Sequence, residues 1–356
     1  MPACREQGRG QLDGRRSASG VAYPPGGSSS APPVALRSAC VVLFIQAIVL
    51  GLLQGLTEFL PVSSSGHLQA VPYLVGWESG GSVAFDVLVH TGTLLAVLWY
   101  FRADLLELAS NAVRPRQSAA VRRRAWTLIG LLALGTVPAA AAGMLLADVF
   151  EAAFASPRAI AGFLYLTGAL LYTAERLRAR RARPSDPTEK GMDQRRSLPT
   201  SEARGLSTSA PARAQADTRL RDDPGRDVTS LRARDAATIG AAQALALFPG
   251  ISRAGATIAT GMALGMSRTA AARFSFLLSI PVILGATVMT IPEVSTPQPG
   301  TLPFGPAEMA AGTLAAAVSG YWAIRSLLSL VQRRSLNGFA VYVTLFATVL
   351  LIATFL

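Results

Sequence analysis

Cysteine, histidine and lysine are nearly missing from this 356-residue chain. Cys4 and Cys40 are its only cysteines, one in a polar tail and one at the edge of an apolar run. That leaves no disulfide framework and no thiolate metal site. Lys190 is the single lysine, and His67 and His90 are the only histidines. Charge of either sign is scarce as well: 15% of residues are charged, where a soluble domain carries about 25%. Hydrophobic residues make up 51% and the mean hydropathy is +0.38. These shortages exclude a soluble globular enzyme, a disordered protein and a disulfide-stapled secreted domain. A polytopic membrane protein remains.

The net charge of +12 does not read as a nucleic-acid signal. Residues 178–234 hold 14 Lys+Arg against 8 Asp+Glu, an excess of 6, and contain no Phe, Trp or Tyr on which bases could stack. Arginine beside apolar spans has a simpler cause, the retention of positive charge by cytoplasmic loops.

The apolar residues fall into two blocks, 39–177 and 236–356. Residues 1–38 are rich in Gly, Pro, Ser and Arg and are expected to be a disordered tail, too polar and too long to begin as a signal peptide. The Arg-rich stretch 178–235 is expected to be a disordered cytoplasmic loop. In the first block an apolar run from Ala39 to Leu53 continues into Gln54 and breaks at Pro61, Ser63, Ser64, Ser65 and Gly66. Spans near 82–101, 125–147 and 159–177 follow, each near the 20 residues that cross a hydrocarbon core. The second block repeats the plan. A helix at 236–248 breaks at Pro249-Gly-Ile-Ser-Arg-Ala-Gly255 and resumes, and spans near 273–292, 307–331 and 338–356 follow. Gln54 to Gly66 and Gln243 to Gly255 are both 12 residues. The fold class expected is therefore all-α and polytopic. Its two inverted repeats each comprise a re-entrant helical hairpin (about 39–80 and 236–270) plus three transmembrane helices.

Charge sets the orientation. Arg102, Arg114, Arg116, Arg122, Arg123 and Arg124 place the loop 102–124 in the cytoplasm, whereas 148–158, with Asp148, Glu151 and only Arg158, lies outside. The connection 293–306 has no Lys or Arg and is outside too. The segment 236–272 must then enter and leave on the cytoplasmic side, which makes the halves inverted copies. The arginines of the tail argue for the opposite side at the N-terminus.

Ionisable residues inside membrane segments are costly and mark function. Here they are Glu58, His67, Asp86, His90 and Arg253. Broken backbone is tolerated at membrane depth only where it lines a protein-buried or watery cavity, so the two breaks should meet. Their residue types suit phosphate. Arg253 offers a planar fork matched to phosphate oxygens. Ser63–Gly66 and Gly250–Gly255 open helices whose free N–H groups face an anion. Glu58 and His67 can supply a base and an acid, and a serine a nucleophile. For Asp86 and His90, four residues apart on one helical face, orienting the site and direct catalysis are both open. Gly51/Gly55 and Gly261/Gly265 read as helix-packing faces.

At these residues the chain resembles the undecaprenyl-diphosphate phosphatase family of the bacitracin-resistance type. Gln54 and Glu58 match its first motif, which continues through Phe59-Leu-Pro-Val-Ser-Ser-Ser-Gly-His67. Pro249-Gly-Ile-Ser-Arg-Ala-Gly255 matches its second. The resemblance covers about 39–177 and 236–356. It implies hydrolysis of undecaprenyl diphosphate to the monophosphate and phosphate, which recycles the lipid carrier of peptidoglycan synthesis and gives bacitracin resistance. It also implies a multi-pass protein of the bacterial plasma membrane with its site open to the extracytoplasmic side, working as a homodimer. Glu58, Ser64, His67 and Arg253 carry over as catalytic, with Gln54, Ser63, Ser65, Gly250 and Ser252 as substrate contacts. Two positions depart from the family. Gln54 takes the uncharged option, which argues against a two-carboxylate metal site, and Ala254 replaces a serine. Mg2+ or Ca2+ could assist through the diphosphate oxygens, although the sequence has no dedicated cage for either. Whether Ser64 or water attacks phosphorus stays open at this point. The competing class is a transporter or flippase of a polyprenyl phosphate or other anion, which would need Arg and N–H groups but no general base.

Overall fold

The computed structural model describes residues 34–77, 83–114, 117–181, 225–295 and 304–356. Residues 1–33 of the expected tail and 182–224 of the expected loop lie outside the described residues. Among the described residues the chain is helical. The elements are α1 (Val34–Phe59), α2 (Ser64–Val75), α3 (Val83–Tyr100), α4 (Arg102–Val113), α5 (Ala119–Leu145), α6 (Ala147–Phe154), α7 (Pro157–Arg181), α8 (Ala233–Leu245), α9 (Arg253–Ala263), α10 (Arg268–Ser295), α11 (Pro306–Val331) and α12 (Asn337–Ala353).

Four helices are long and apolar enough to cross a membrane: Val41–Phe59 within α1, α5, most of α10, and α11. The count reaches six if α3 with α4, bent by 69°, and α6 with α7, bent by 103°, are each taken as one span. α12 is a shorter apolar helix. Outward-facing Leu95, Trp99, Val137, Met289, Leu314, Val318 and Leu345 are exposed. In water so many exposed apolar side chains would drive association, and against lipid they are matched. The chain is a multi-pass membrane protein.

Lipid cannot pull helices together by the hydrophobic effect, so small residues must let backbones approach closely. α1 packs against α11, α8 against α5, α12 against α7, and α10 against α3. At the first crossing a Cβ built on Gly51 would lie 2.1 Å from the Gly312 carbonyl oxygen, and one on Gly55 2.0 Å from Ser319 Oγ. At the second, a Cβ on Gly240 would lie 2.4 Å from the Gly135 carbonyl. Gly261 also packs closely, its Cβ position 3.1 Å from Ala271 Cβ. Gly265 does not belong to such a face: at φ +89° it ends the turn after α9. The largest buried cluster gathers Phe59, Phe101, Phe274, Phe276, Ile239 and Leu327, with Phe59 and Phe276 edge to face at 5.5 Å.

The edges of the expected disordered loop are ordered. Residues 178–181 form the last turn of α7, and 225–235 are held by bonds that their polar composition concealed. Arg226 N donates to the Gly265 carbonyl at 2.8 Å and Arg226 Nη2 to Asp235 Oδ2 at 2.6 Å, while Asp235 caps α8 by accepting from Arg232 N at 3.0 Å. Residues 34–38, assigned to the tail from composition, belong to α1.

Candidate active site

Two interruptions of helix build the site. The first begins where α1 stops at Phe59, since Pro61 follows and cannot continue the ladder. Ser63 takes φ 75° and ψ 100°, the only non-glycine positive φ among the described residues, a conformation costing on the order of 1–3 kcal/mol. Its Oγ accepts from Gly66 N at 3.3 Å and so caps α2. In the second, α8 gives way to Phe248-Pro-Gly250, and Ser252 caps α9 by accepting from Gly255 N at 3.0 Å. Thr167 of α7 pins this turn from outside: its Oγ1 donates to the Gly250 carbonyl at 2.8 Å and accepts from Ser252 N at 3.0 Å.

The interruptions touch. A Cβ on Gly66 would lie 3.1 Å from Gly250 Cα. Gly250 itself has φ +102°, and a Cβ there would meet the Ile160 carbonyl at 2.6 Å and Phe163 Cβ at 2.9 Å. Gly250→Ala is therefore expected to cost about 2–3 kcal/mol, read as a drop in the detergent melting temperature. An unchanged melting temperature would show that the turn is not held as described.

Glu58 is the hub. Its Oε1 accepts from Arg253 Nη2 at 2.7 Å. Its Oε2 accepts from Ser64 Oγ at 2.6 Å and from Gln54 Nε2 at 3.1 Å. Arg253 Nη1 donates onward to the Ser275 carbonyl of α10 at 3.2 Å. The Glu58 and Arg253 side chains are 7% and 12% exposed, so the ion pair is buried and each charge is compensated by the other. Residues 195 positions apart thus share one bond.

Of the expected site residues, Gln54, Glu58, Ser64 and Arg253 form one bonded group. Gln54 is fully buried and its Oε1 has no partner. Ser65 lies with its Oγ 3.3 Å from Ser63 Oγ. Ser63, Gly250 and Ser252 shape the two turns. His67, expected as an acid, has both ring nitrogens engaged. Its Nδ1 lies 2.7 Å from the Ser63 carbonyl and its Nε2 2.9 Å from Tyr342 OH, and its ring stacks on Phe346 at 4.1 Å. The aromatic surface of α12 holds the ring. The imidazole that faces Glu58 is that of His90, with Nε2 3.7 Å from Oε2. Sequence reasoning nominated His90 without choosing its role. Its membrane position and rarity were the available signals. Thr167, Ser275 and Tyr342 were missed, because a Thr, Ser or Tyr in an apolar helix has no distinguishing pattern.

Among the described residues, no group of three His, Cys, Asp or Glu side chains is placed to hold a metal ion. Gln54 supplies an amide in place of a second carboxylate, and Glu58 is bonded to Arg253, Ser64 and Gln54. This donor set makes no closed cage, so a divalent cation here would be held mainly through the diphosphate oxygens, with Glu58 and Gln54 Oε1 as the protein donors.

Comparison with known proteins agrees with the motifs. The model of the family described as "Bacitracin resistance protein BacA" matches residues 47–349. An undecaprenyl-diphosphatase of Gemmatimonas aurantiaca is 38% identical over 297 residues, covering 83% of this chain and 92% of the relative. Undecaprenyl-diphosphatase 2 of Stutzerimonas stutzeri is 37% identical over 311 residues, covering 86% and 97%. An undecaprenyl-diphosphatase of Methanobrevibacter smithii is 35% identical, covering 84% and 93%. With a family match over most of its length, relatives this similar, and both motifs folded around one carboxylate, the chain belongs to the bacitracin resistance protein BacA family.

Proposed function

We propose that the chain is an integral membrane phosphatase that hydrolyses undecaprenyl diphosphate to undecaprenyl phosphate and phosphate, and thereby confers bacitracin resistance. The observation that carries the chemistry is Ser64 Oγ donating to Glu58 Oε2 at 2.6 Å, with Arg253 on the carboxylate's other oxygen. A hydroxyl bonded to a desolvated carboxylate has its proton acceptor in place. An anion carrier has no use for that pair.

In this reading Ser64 Oγ attacks the terminal phosphorus as its proton passes to Glu58. The O–P bond forms, the anhydride bond breaks, and undecaprenyl phosphate leaves as an anion. Water then attacks the phosphoserine, Glu58 returns its proton to the departing Ser64 Oγ, and phosphate leaves. Arg253 uses two of its N–H donors on Glu58 and Ser275. The others are there for phosphate oxygens, where fixed charge offsets the transition state. Gln54 Oε1, buried and unpartnered, suits a protonated phosphate oxygen or a water. His67 acts by position, gripping the carbonyl of the strained Ser63.

The two halves are read as inverted repeats, each hairpin and three spans. Gly51 and Gly240 each lie three residues before the matching glutamines Gln54 and Gln243, and each makes a glycine-on-glycine crossing with the other half. Both interruptions end in a serine cap. For orientation, a cavity of about 500 Å3 is lined by Leu50, Leu68, Trp77, Asp86, Phe154 and Pro157. It lies at the starts of α3 and α7, whereas Arg102 and Arg178–Arg181 lie at their ends, which puts the cavity on the extracytoplasmic side, the face of the plasma membrane to which the site is read as opening. A homodimer is part of the same reading, tested by light scattering of the purified protein in detergent.

The test is phosphate release from undecaprenyl diphosphate by purified protein. Wild type should release phosphate, and Ser64→Ala should lose it by about 10³-fold or more, as for removal of a nucleophile supported by its base. Release undiminished in Ser64→Ala would assign the attack to water.

A further inference from the structure

We infer that His90 is the base that takes the proton of the hydrolytic water in the step that frees Ser64. The inference rests on the reading above in which Ser64 carries the phosphoryl group. In that scheme Glu58 holds the Ser64 proton after the first step and must give it back in the second, so it cannot also accept a proton from water. A second acceptor lets the water proton leave as the new O–P bond forms, and in-line attack sets that water opposite Ser64 Oγ.

His90 fits in four respects. Its Nδ1 lies 2.6 Å from the Asp86 carbonyl, which can only accept, so Nδ1 carries the hydrogen and, in the neutral ring, Nε2 has the lone pair. Nε2 is the nitrogen turned to the site, 3.7 Å from Glu58 Oε2. That separation is too long for a direct hydrogen bond, and one water lying beside the pair can contact both. The His90 side chain is 33% exposed, against 7% for Glu58 and 12% for Arg253, so it is more open than either member of the ion pair. Finally, Asp86, whose carbonyl holds Nδ1 from one helical turn earlier, lines the 500 Å3 cavity. His67 shares only the first of these features: its Nδ1 also faces a backbone carbonyl, but it is 1% exposed and its Nε2 is engaged by Tyr342 OH.

In atoms, the water oxygen bonds to phosphorus, its proton moves to His90 Nε2, the Ser64 Oγ–P bond breaks, and Glu58 protonates Oγ. His90 then releases its proton to solvent.

The experiment uses the full-length protein in detergent, polyprenyl diphosphate labelled in the terminal phosphate, and millisecond acid quenching. His90→Gln is expected to release about one polyprenyl monophosphate per site in a burst, to accumulate label on Ser64, and to lose steady phosphate release by about 10²-fold or more. Added imidazole should restore His90→Ala in part, which a purely structural role would not allow. Label that drains from His90→Gln as fast as from wild type, or burst and steady rates that fall together without imidazole rescue, would overturn the assignment of His90 alone. Label on neither protein would overturn the Ser64 reading, and this inference with it.

Discussion

Glu58→Gln lowers phosphate release from undecaprenyl diphosphate by about 10³-fold, within the range for loss of a positioned general base. The substitution keeps the shape of the side chain, which makes it informative. Oε2 now accepts from both Ser64 and Gln54. An amide placed there would present either an oxygen of much weaker basicity or an N–H opposed to the Gln54 N–H. Either way Ser64 loses the acceptor for its proton. The change also strips Arg253 of its counter-charge in a place only 12% exposed, so a lower melting temperature should accompany the loss. Phosphate release by Glu58→Gln at half the wild-type rate or more would remove Glu58 from the chemistry.

Arg253→Ala is expected to be at least as damaging, about 10³-fold or more, because it removes both the fixed charge opposite the phosphoryl group and the partner of a buried carboxylate. Breaking such a pair from one side costs about 3–5 kcal/mol. Arg253→Lys should recover little. One ammonium cannot bridge Glu58 Oε1 at 2.7 Å and the Ser275 carbonyl at 3.2 Å while still presenting donors to phosphate. The measurement is phosphate release at saturating substrate together with a thermal melt. Wild-type turnover by Arg253→Lys would mean that charge alone is enough.

Much of this was legible in the sequence because membranes impose simple rules. Apolar runs of spanning length gave away the helices, and Pro, Gly and Ser clusters at Pro61–Gly66 and Pro249–Gly255 marked where two of them stop. The meeting of Glu58 and Arg253 followed from the two breaks, since broken backbone at membrane depth must line a shared cavity. What stayed hidden depended on partners remote in sequence. His67 is turned by Tyr342 and Phe346, 275 and more positions away, and nothing near residue 67 signals them. Thr167 reaches the second turn from another helix. The order at 225–235 depends on Arg226 bonding Gly265 and Asp235, which composition averages away.

A double-mutant cycle on phosphate release, with Glu58→Gln, Arg253→Ala and both together, tests the pairing across the two turns most directly. Groups that act as one unit lose activity once, so the double variant should be no slower than the slower single variant within about threefold. Losses that multiply would mean that the two side chains work in separate places, and the convergence of the turns on one catalytic pair would be wrong.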